Sequence, residues 1–198
     1  IGIAMMLGIW TPPIRVQLKP PLEALRTFAI ACATAHFSAH PPGLIDSPPP
    51  LWYVNDYEEN IGSGRVAFLR AGEALRRLEC LQLDWLRATV QGDVLAICSR
   101  QFGVLWLMNA NRLLPKDVVQ SDCVAMSWGT TARHVLAGEE RLSVCWDRET
   151  DAVLFRVRSY SRPRHAFAVL GYPIVRLQQR RFARDAAQTM RRACTESS

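Results

Sequence analysis

The chain has 198 residues, 49% hydrophobic and 21% charged, a balance that excludes wholesale disorder and supplies the core of one domain. Its formal charge is +6, but ten arginines and one acid between Arg156 and Arg192 hold +9, which leaves −3 on the remainder. The basic signal therefore belongs to the end of the chain. Six cysteines, no two within four residues, exclude CxxC redox and zinc-ribbon spacing.

Ile1 to Trp10 is apolar but lacks the basic lead of a signal peptide and is too short to span a bilayer. It reads as a fray or a minor packing strand. After Pro20-Pro21, the residues Leu22, Leu25, Phe28, Ala29 and Cys32 recur at helical spacing and predict an amphipathic helix from Pro21 to about Ala35. His40-Pro41-Pro42-Gly43 and Ser47-Pro48-Pro49-Pro50 then predict an extended linker. Residues 1–50 thus form an extension, and residues 51–198 the main domain. His36 and His40 have the spacing of two metal ligands, but Pro41 takes His40 out of helical geometry and no third ligand is near. No metal is expected.

Leu51 to Tyr57 reads as a strand, Ile61-Gly62-Ser63-Gly64 as a turn, and Arg65 to about Cys80 as a helix capped by Ser63 or Gly64. The turn lacks the Gly-Lys of a phosphate loop. The period then changes to alternation, with strands expected at 82–89, 93–100, 104–114, 123–130, 139–147 and 152–160. Leu142, Val144 and Trp146 share one face, as do Val124, Met126 and Trp128, and Val153, Phe155 and Val157; Arg156 and Arg158 point away. At the end, Pro163 suits a first helical turn, and Gly171-Tyr172-Pro173 suits a kink between a short helix to Leu170 and a longer one to about Cys194. That longer helix places Val175, Phe182, Ala186, Met190 and Ala193 on one face, and Arg176, Arg180, Arg184, Gln188 and Arg191 opposite.

Six consecutive strands with short links make an antiparallel meander, and its apolar face needs the complementary stripe of the last helix. The predicted fold is α+β: a curved antiparallel sheet of about seven strands gripping a long C-terminal helix, with a cavity between them.

Several motifs in a fixed order carry a resemblance. They are Ile61-Gly62-Ser63-Gly64; the Phe102-Gly103 turn followed by Asn109; and Trp128-Gly129-Thr130 leading to His134 and Gly138-Glu139-Glu140-Arg141. Ser161-Arg162-Pro163 and the Arg-Phe-Ala-Arg-Asp run at 181–185 complete the set. From Leu51 to Arg192 the chain resembles the family called domain of unknown function nineteen-ninety. The resemblance implies a helix-grip, START-like architecture, whose cavities hold lipids, hormones or polyketide-like molecules. It implies no catalytic residue and no cofactor.

The residues themselves offer candidates. His134 near Glu139, Glu140 and Arg141 pairs an imidazole with carboxylates, the parts of a proton shuttle, although Gly-Glu-Glu-Arg entering a strand also reads as a turn with a surface ion pair. Ser159, Tyr160, Ser161, Arg162, Arg164 and His165 crowd the junction of last strand and last helix, where helix N–H groups and arginines suit an anion or where the serines simply cap. Asn109 and Asn111 interrupt an apolar strand and, pointing inward, need partners. Trp106, Trp128, Trp146 and Tyr172 are aromatics that suit a pocket wall or the core. The candidate ligand-binding set is Asn109, Trp128, His134, Glu140, Tyr160, Arg162, Arg164 and Tyr172.

The favoured reading is a binding protein for a small apolar or amphipathic ligand, in a reduced cytoplasmic setting, with buried free thiols and no membrane span. An enzyme using His134, Glu140 or Tyr160 in the same cavity is the alternative. Binding of nucleic acid or an anionic surface through Arg176, Arg180, Arg184 and Arg191 is the third reading, disfavoured because no recognition module or interleaved aromatics accompany the charge.

Overall fold

The computed structural model describes residues 14–16, 19–38, 42–115, 119–164 and 171–195. The expectations for Ile1–Trp10, for His40 and His165, and for a short helix up to Leu170 fall outside these residues. In chain order the elements are β1 (Ile14–Val16), α1 (Leu22–Ala31), β2 (Tyr53–Ser63), α2 (Gly64–Arg76), a 3-10 turn (Glu79–Leu81) and β3 (Leu86–Gln91). Then come β4 (Val94–Gln101), β5 (Leu105–Leu113), β6 (Val119–Gln120), β7 (Cys123–Thr130), β8 (Leu136–Trp146), β9 (Ala152–Pro163) and α3 (Tyr172–Thr195).

Seven strands form a curved, wholly antiparallel sheet in the order β2-β9-β8-β7-β5-β4-β3, with β1 added to β5 and β6 to β7. The predicted α+β helix-grip architecture is the observed one. Register sorts side chains onto two faces. Trp128 stands opposite Glu140, Glu140 opposite Ser159, and Ser159 opposite Asn55, so these four share the concave face. Leu142, Val144, Val153, Phe155 and Val157 are on that face too, each fully buried beneath α2 and α3. Phe182, Ala183, Ala186, Ala187 and Met190 of α3 meet them as the amphipathic pattern predicts, while Arg176, Arg180, Arg184, Gln188 and Arg191 face outward. Small residues bring the layers close: a Cβ at Gly72 of α2 would touch Val124 of β7 at 3.4 Å.

The convex face has its own cover. Leu25, Ala29 and Cys32 of α1 pack on Val94, Ala96, Cys98, Trp106, Met108 and Ala110 of β4 and β5. The proline-rich stretch is a docked strap, not a free linker. Ser38 N–H donates to the Thr130 carbonyl, Gly43 N–H to Glu139 Oε1 at 2.7 Å, and Arg141 to both carboxylate oxygens of Asp46, while Ile45 is buried.

Other expectations change as well. Pro163 ends strand β9, paired with Leu136, and does not open a helix; Pro173 sits in the first turn of α3, where its missing N–H costs nothing, so it starts the helix instead of kinking it. The helix predicted to Cys80 stops at Arg76 because Leu78 turns left-handed, with φ 61°. Gly-Glu-Glu-Arg lies wholly inside β8, and a Cβ at Gly138 (φ 154°) would fall 1.9 Å from the Tyr160 carbonyl oxygen, so glycine alone fits there. Cys123 and Cys145, read as free thiols, stand opposite each other on β7 and β8 and form a disulfide; Cys32, Cys80 and Cys194 are buried free thiols, and Cys98 is buried too.

Candidate functional site

The concave face is filled at one end and open at the other. Along β9 the inward residues run Val153, Phe155, Val157, then Ser159 and Ser161; along β8 they run Trp146, Val144, Leu142, then Glu140 and Gly138. Large apolar side chains give way to small and polar ones on both strands at the same level. On α3 the change is from Ala183, Ala186 and Met190 to Val175, Gln178 and Gln179. The result is a cavity of about 170 Å³ between the sheet and the first half of α3.

Its walls combine Leu86, Ile97, Leu107, Trp128, Leu136 and Phe182 with the polar groups Asn109, Asn111, His134, Glu140 and Ser159. Each polar group is set by local structure. The β7–β8 turn folds back on β5: Ala110 N–H donates to the Arg133 carbonyl, and Val135 N–H to Asn109 Oδ1 at 3.2 Å. With its oxygen engaged, Asn109 keeps its NH₂ as a donor. His134 Nδ1 accepts the Leu136 N–H at 2.9 Å, which leaves the neutral ring protonated at Nε2. Burial, with the Arg164 guanidinium adding to it, holds the imidazole neutral down to about 3. Asn111 donates to the Leu95 carbonyl.

Glu140 differs from Asn109, Asn111 and His134. It makes no hydrogen bond or ion pair among the described residues, and burial alone lifts its carboxyl to about 7. Its titratable neighbour Cys80 is a thiol pushed up to about 12 by burial. The adjacent Glu139 is directed to the other face of the sheet, where it holds the strap.

Of the eight predicted site residues, Asn109, Trp128, His134, Glu140 and Tyr160 reach the cavity wall, and three do not. Tyr160 does so from the wrong side: paired with Glu139, it turns its ring to the convex face, edge-on to Trp52 at 5.4 Å, and burial with the nearby Glu139 carboxylate pushes its phenol up. Arg162 is exposed and stacks 4.4 Å above Trp52. Arg164 donates to the Thr131 carbonyl. Tyr172 donates to the Ser161 carbonyl at 2.9 Å, tying the start of α3 to β9 outside the lining. From Ser159 to Pro163 the crowded junction is strand, so its two serines do not cap a helix there. Of the arginines proposed as a basic surface, Arg191 pairs with Glu59 and Arg176 stacks on Tyr53. Among the described residues no cluster of three or more His, Cys, Asp or Glu stands ready for a metal, and no helix is long and apolar enough to cross a membrane.

Ser159, Ser161, Gln178 and Gln179 belong to the cavity wall, where the sequence reading offers the serines as anion partners or helix caps and gives the glutamines no role. Strand parity from Val157 was the signal for the serines, and helical spacing back from Phe182 the signal for the glutamines.

An antiparallel sheet that grips its C-terminal helix over a partly polar cavity defines a helix-grip protein. The chain belongs to the family described as Domain of unknown function (DUF1990), which it matches over residues 38–189. It is 30% identical over 156 residues to a UPF0548 protein of Dictyostelium discoideum, spanning 71% of this chain and 72% of that one. A UPF0548 protein of Arabidopsis thaliana is also 30% identical, over 69% of this chain and 71% of its own. Among solved structures it is similar to truncated norcoclaurine synthase from Thalictrum flavum, with TM-score 0.48, 11% identity, and coverage of 75% of this chain and 96% of that one. A hypothetical protein of Helicobacter pylori gives TM-score 0.47 at 14% identity, covering 75% and 92%.

Proposed function

We propose that this protein binds a small amphipathic molecule in the cavity between the concave sheet and α3. The observation that carries this reading is the change at one level of β8 and β9 from large apolar side chains to small or polar ones, met by Gln178 and Gln179 of α3, which leaves about 170 Å³ of space. A packed core has no use for Asn109, Asn111, His134, Glu140 and Ser159 around one space, of which Glu140 and Ser159 lack any partner among the described residues. The size narrows the ligand. An apolar cavity of about 150 Å³ takes a benzene ring, and drug-sized pockets run to about 300–1,000 Å³. One ring or two fused rings fit the space; a long lipid chain does not.

The test is a thermal-shift series with single-ring and fused-ring phenols and indoles on the wild-type protein and on Ser159→Leu, which fills the open end from β9. A ligand at 100 times its Kd stabilises by about 2.7 kcal/mol. Wild type is expected to shift with at least one ring class and Ser159→Leu with none. Equal shifts in both proteins place the ligand elsewhere and end the proposal.

A further inference from the structure

Four features of the cavity bear on its chemistry. Glu140 is a carboxyl on the cavity wall with no cation, hydrogen-bond donor or strand terminus to satisfy it among the described residues. Trp128 stands directly opposite it on β7 and gives it an aromatic neighbour. His134 is fixed by Leu136 N–H in the tautomer with its proton on Nε2. Asn109 is tied by its oxygen to Val135, next to His134, so its amide donor belongs to the same corner.

A carboxylate that lacks a counter-ion is a base, and two neutral N–H donors stabilise an oxygen that gains negative charge. We propose that the cavity transfers protons, with Glu140 as the base and then the acid, and with His134 Nε2–H and the Asn109 amide holding the oxygen of a small, uncharged, enolisable carbonyl compound. This rests on the cavity being the ligand site. In the first step Glu140 takes the proton from the carbon next to the carbonyl. The C–H electron pair becomes the C=C bond, and the carbonyl π pair moves to oxygen as an enolate. Return of the proton from Glu140, to the same or a conjugated carbon, restores the carboxylate and leaves an epimer or isomer with no change in oxidation state.

The surroundings suit that work. The polar groups that share the cavity wall with Glu140 from β9 and α3 are Ser159, Ser161, Gln178 and Gln179, all uncharged. The titratable ones are Cys80, protonated to about 12, and His134, neutral down to about 3. Glu139 and Arg141, beside it on β8, turn to the convex face and bond to the strap. Glu140 therefore changes charge alone, near neutrality, where a base is both available and strong enough to act.

The probe is 5-nitrobenzisoxazole. Removal of its ring C–H proton by one base converts the C–H pair into the nitrile π bond and breaks the N–O bond, releasing a coloured phenolate. Wild type is expected to accelerate this with a rate that rises through about pH 7 to a plateau. Glu140→Gln is expected to lose about 100-fold. Glu140→Asp, which keeps the base but withdraws it, is expected to lose about tenfold and keep the inflection. Binding of the inert analogue 5-nitroindole is measured alongside by thermal shift. Binding without an inflection near 7, or with Glu140→Gln as fast as wild type, overturns proton transfer and leaves the binding site standing. No binding overturns both.

Discussion

The two ends of one concave surface are built from the same strands and the same helix, yet one is solid and the other hollow. At the solid end Val153, Phe155, Val157, Leu142 and Val144 lie under α2 and the second half of α3, all with no exposure. At the hollow end Ser159, Ser161, Glu140 and Gly138 continue the same rows under the first half of α3. Backbone geometry does not make the difference, because the β8–β9 ladder runs without a shift from Leu136–Pro163 to Trp146–Val153. Side-chain volume and polarity make it. Curvature supplies the space, and the residue chosen at each inward position decides whether that space is core or cavity.

The sharpest way to break this comparison is to remove volume at the solid end. Phe155→Ala deletes a fully buried ring, and such truncations cost about 3–5 kcal/mol, much of it from the void left behind. Urea unfolding is the measurement. A loss below about 1 kcal/mol is what a loosely packed site gives, and it would erase the distinction between the two ends.

Acidity gives the next largest effect and belongs to the hollow end alone. Between pH 4.5 and 6.5 an unfolded chain has Glu140 ionised and His134 protonated, whereas the folded protein holds Glu140 protonated and His134 neutral. Glu140 then binds one more proton in the fold, so its stabilisation is complete below 4.5 and is lost as pH rises through about 7. His134 binds one fewer, so its stabilisation is complete above 6.5 and is lost as pH falls toward 3. The slopes are opposite, each about 1.4 kcal/mol per pH unit, and they cancel in wild type. Glu140→Gln leaves the imidazole alone, so stability rises with pH across this window. His134→Asn leaves the carboxyl alone, so stability falls. Asp56, Asp122 and Asp147, each held down by an Arg or Thr partner, enter only at lower pH. Urea midpoints at half-unit steps read the slopes, and a Glu140→Gln line parallel to wild type would sink the assignment.

Much of this contrast was readable in the sequence. Alternation in β7, β8 and β9 and the stripe on α3 together determine a sheet, a helix and the face they share, because burial of one face imposes both periods. What failed was continuity across motif boundaries. Ending β9 at Tyr160, because Ser-Arg-Pro looks like a helix start, cuts Ser161 away from Val153, Phe155 and Val157, whose parity it keeps with Ser159. Gly138 looked like a turn glycine because nothing local reveals the carbonyl of Tyr160 pressing against it from the next strand. The strap was hidden for the same reason: its anchors Glu139 and Arg141 are about a hundred residues away. The Cys123–Cys145 pair could have been found, since a hairpin of the two predicted strands sets those residues opposite each other. Asn109 and Asn111 stand out because polar residues in an apolar strand need a reason, and that remains the most general sequence signal for a cavity, whereas Glu140 stands out only by its nearness to His134.

The smallest effect concerns two serines on the hollow end, one residue pair apart. Ser161 accepts a hydrogen bond from Gln179 Nε2 at 3.3 Å and lies 3.4 Å from the Tyr172 hydroxyl, so it belongs to the clasp between β9 and α3. Ser159 shares its face and its burial but bonds to nothing among the described residues. Loss of a net hydrogen bond costs about 1 kcal/mol, so Ser161→Ala is expected to destabilise by roughly that amount. Ser159→Ala removes a hydroxyl from a cavity wall and is expected to stay within about 0.5 kcal/mol of wild type. Denaturant midpoints of the two variants decide it. Should Ser159→Ala cost as much as Ser161→Ala, the Ser159 hydroxyl is satisfied inside a closed structure, and the hollow end is core like the other.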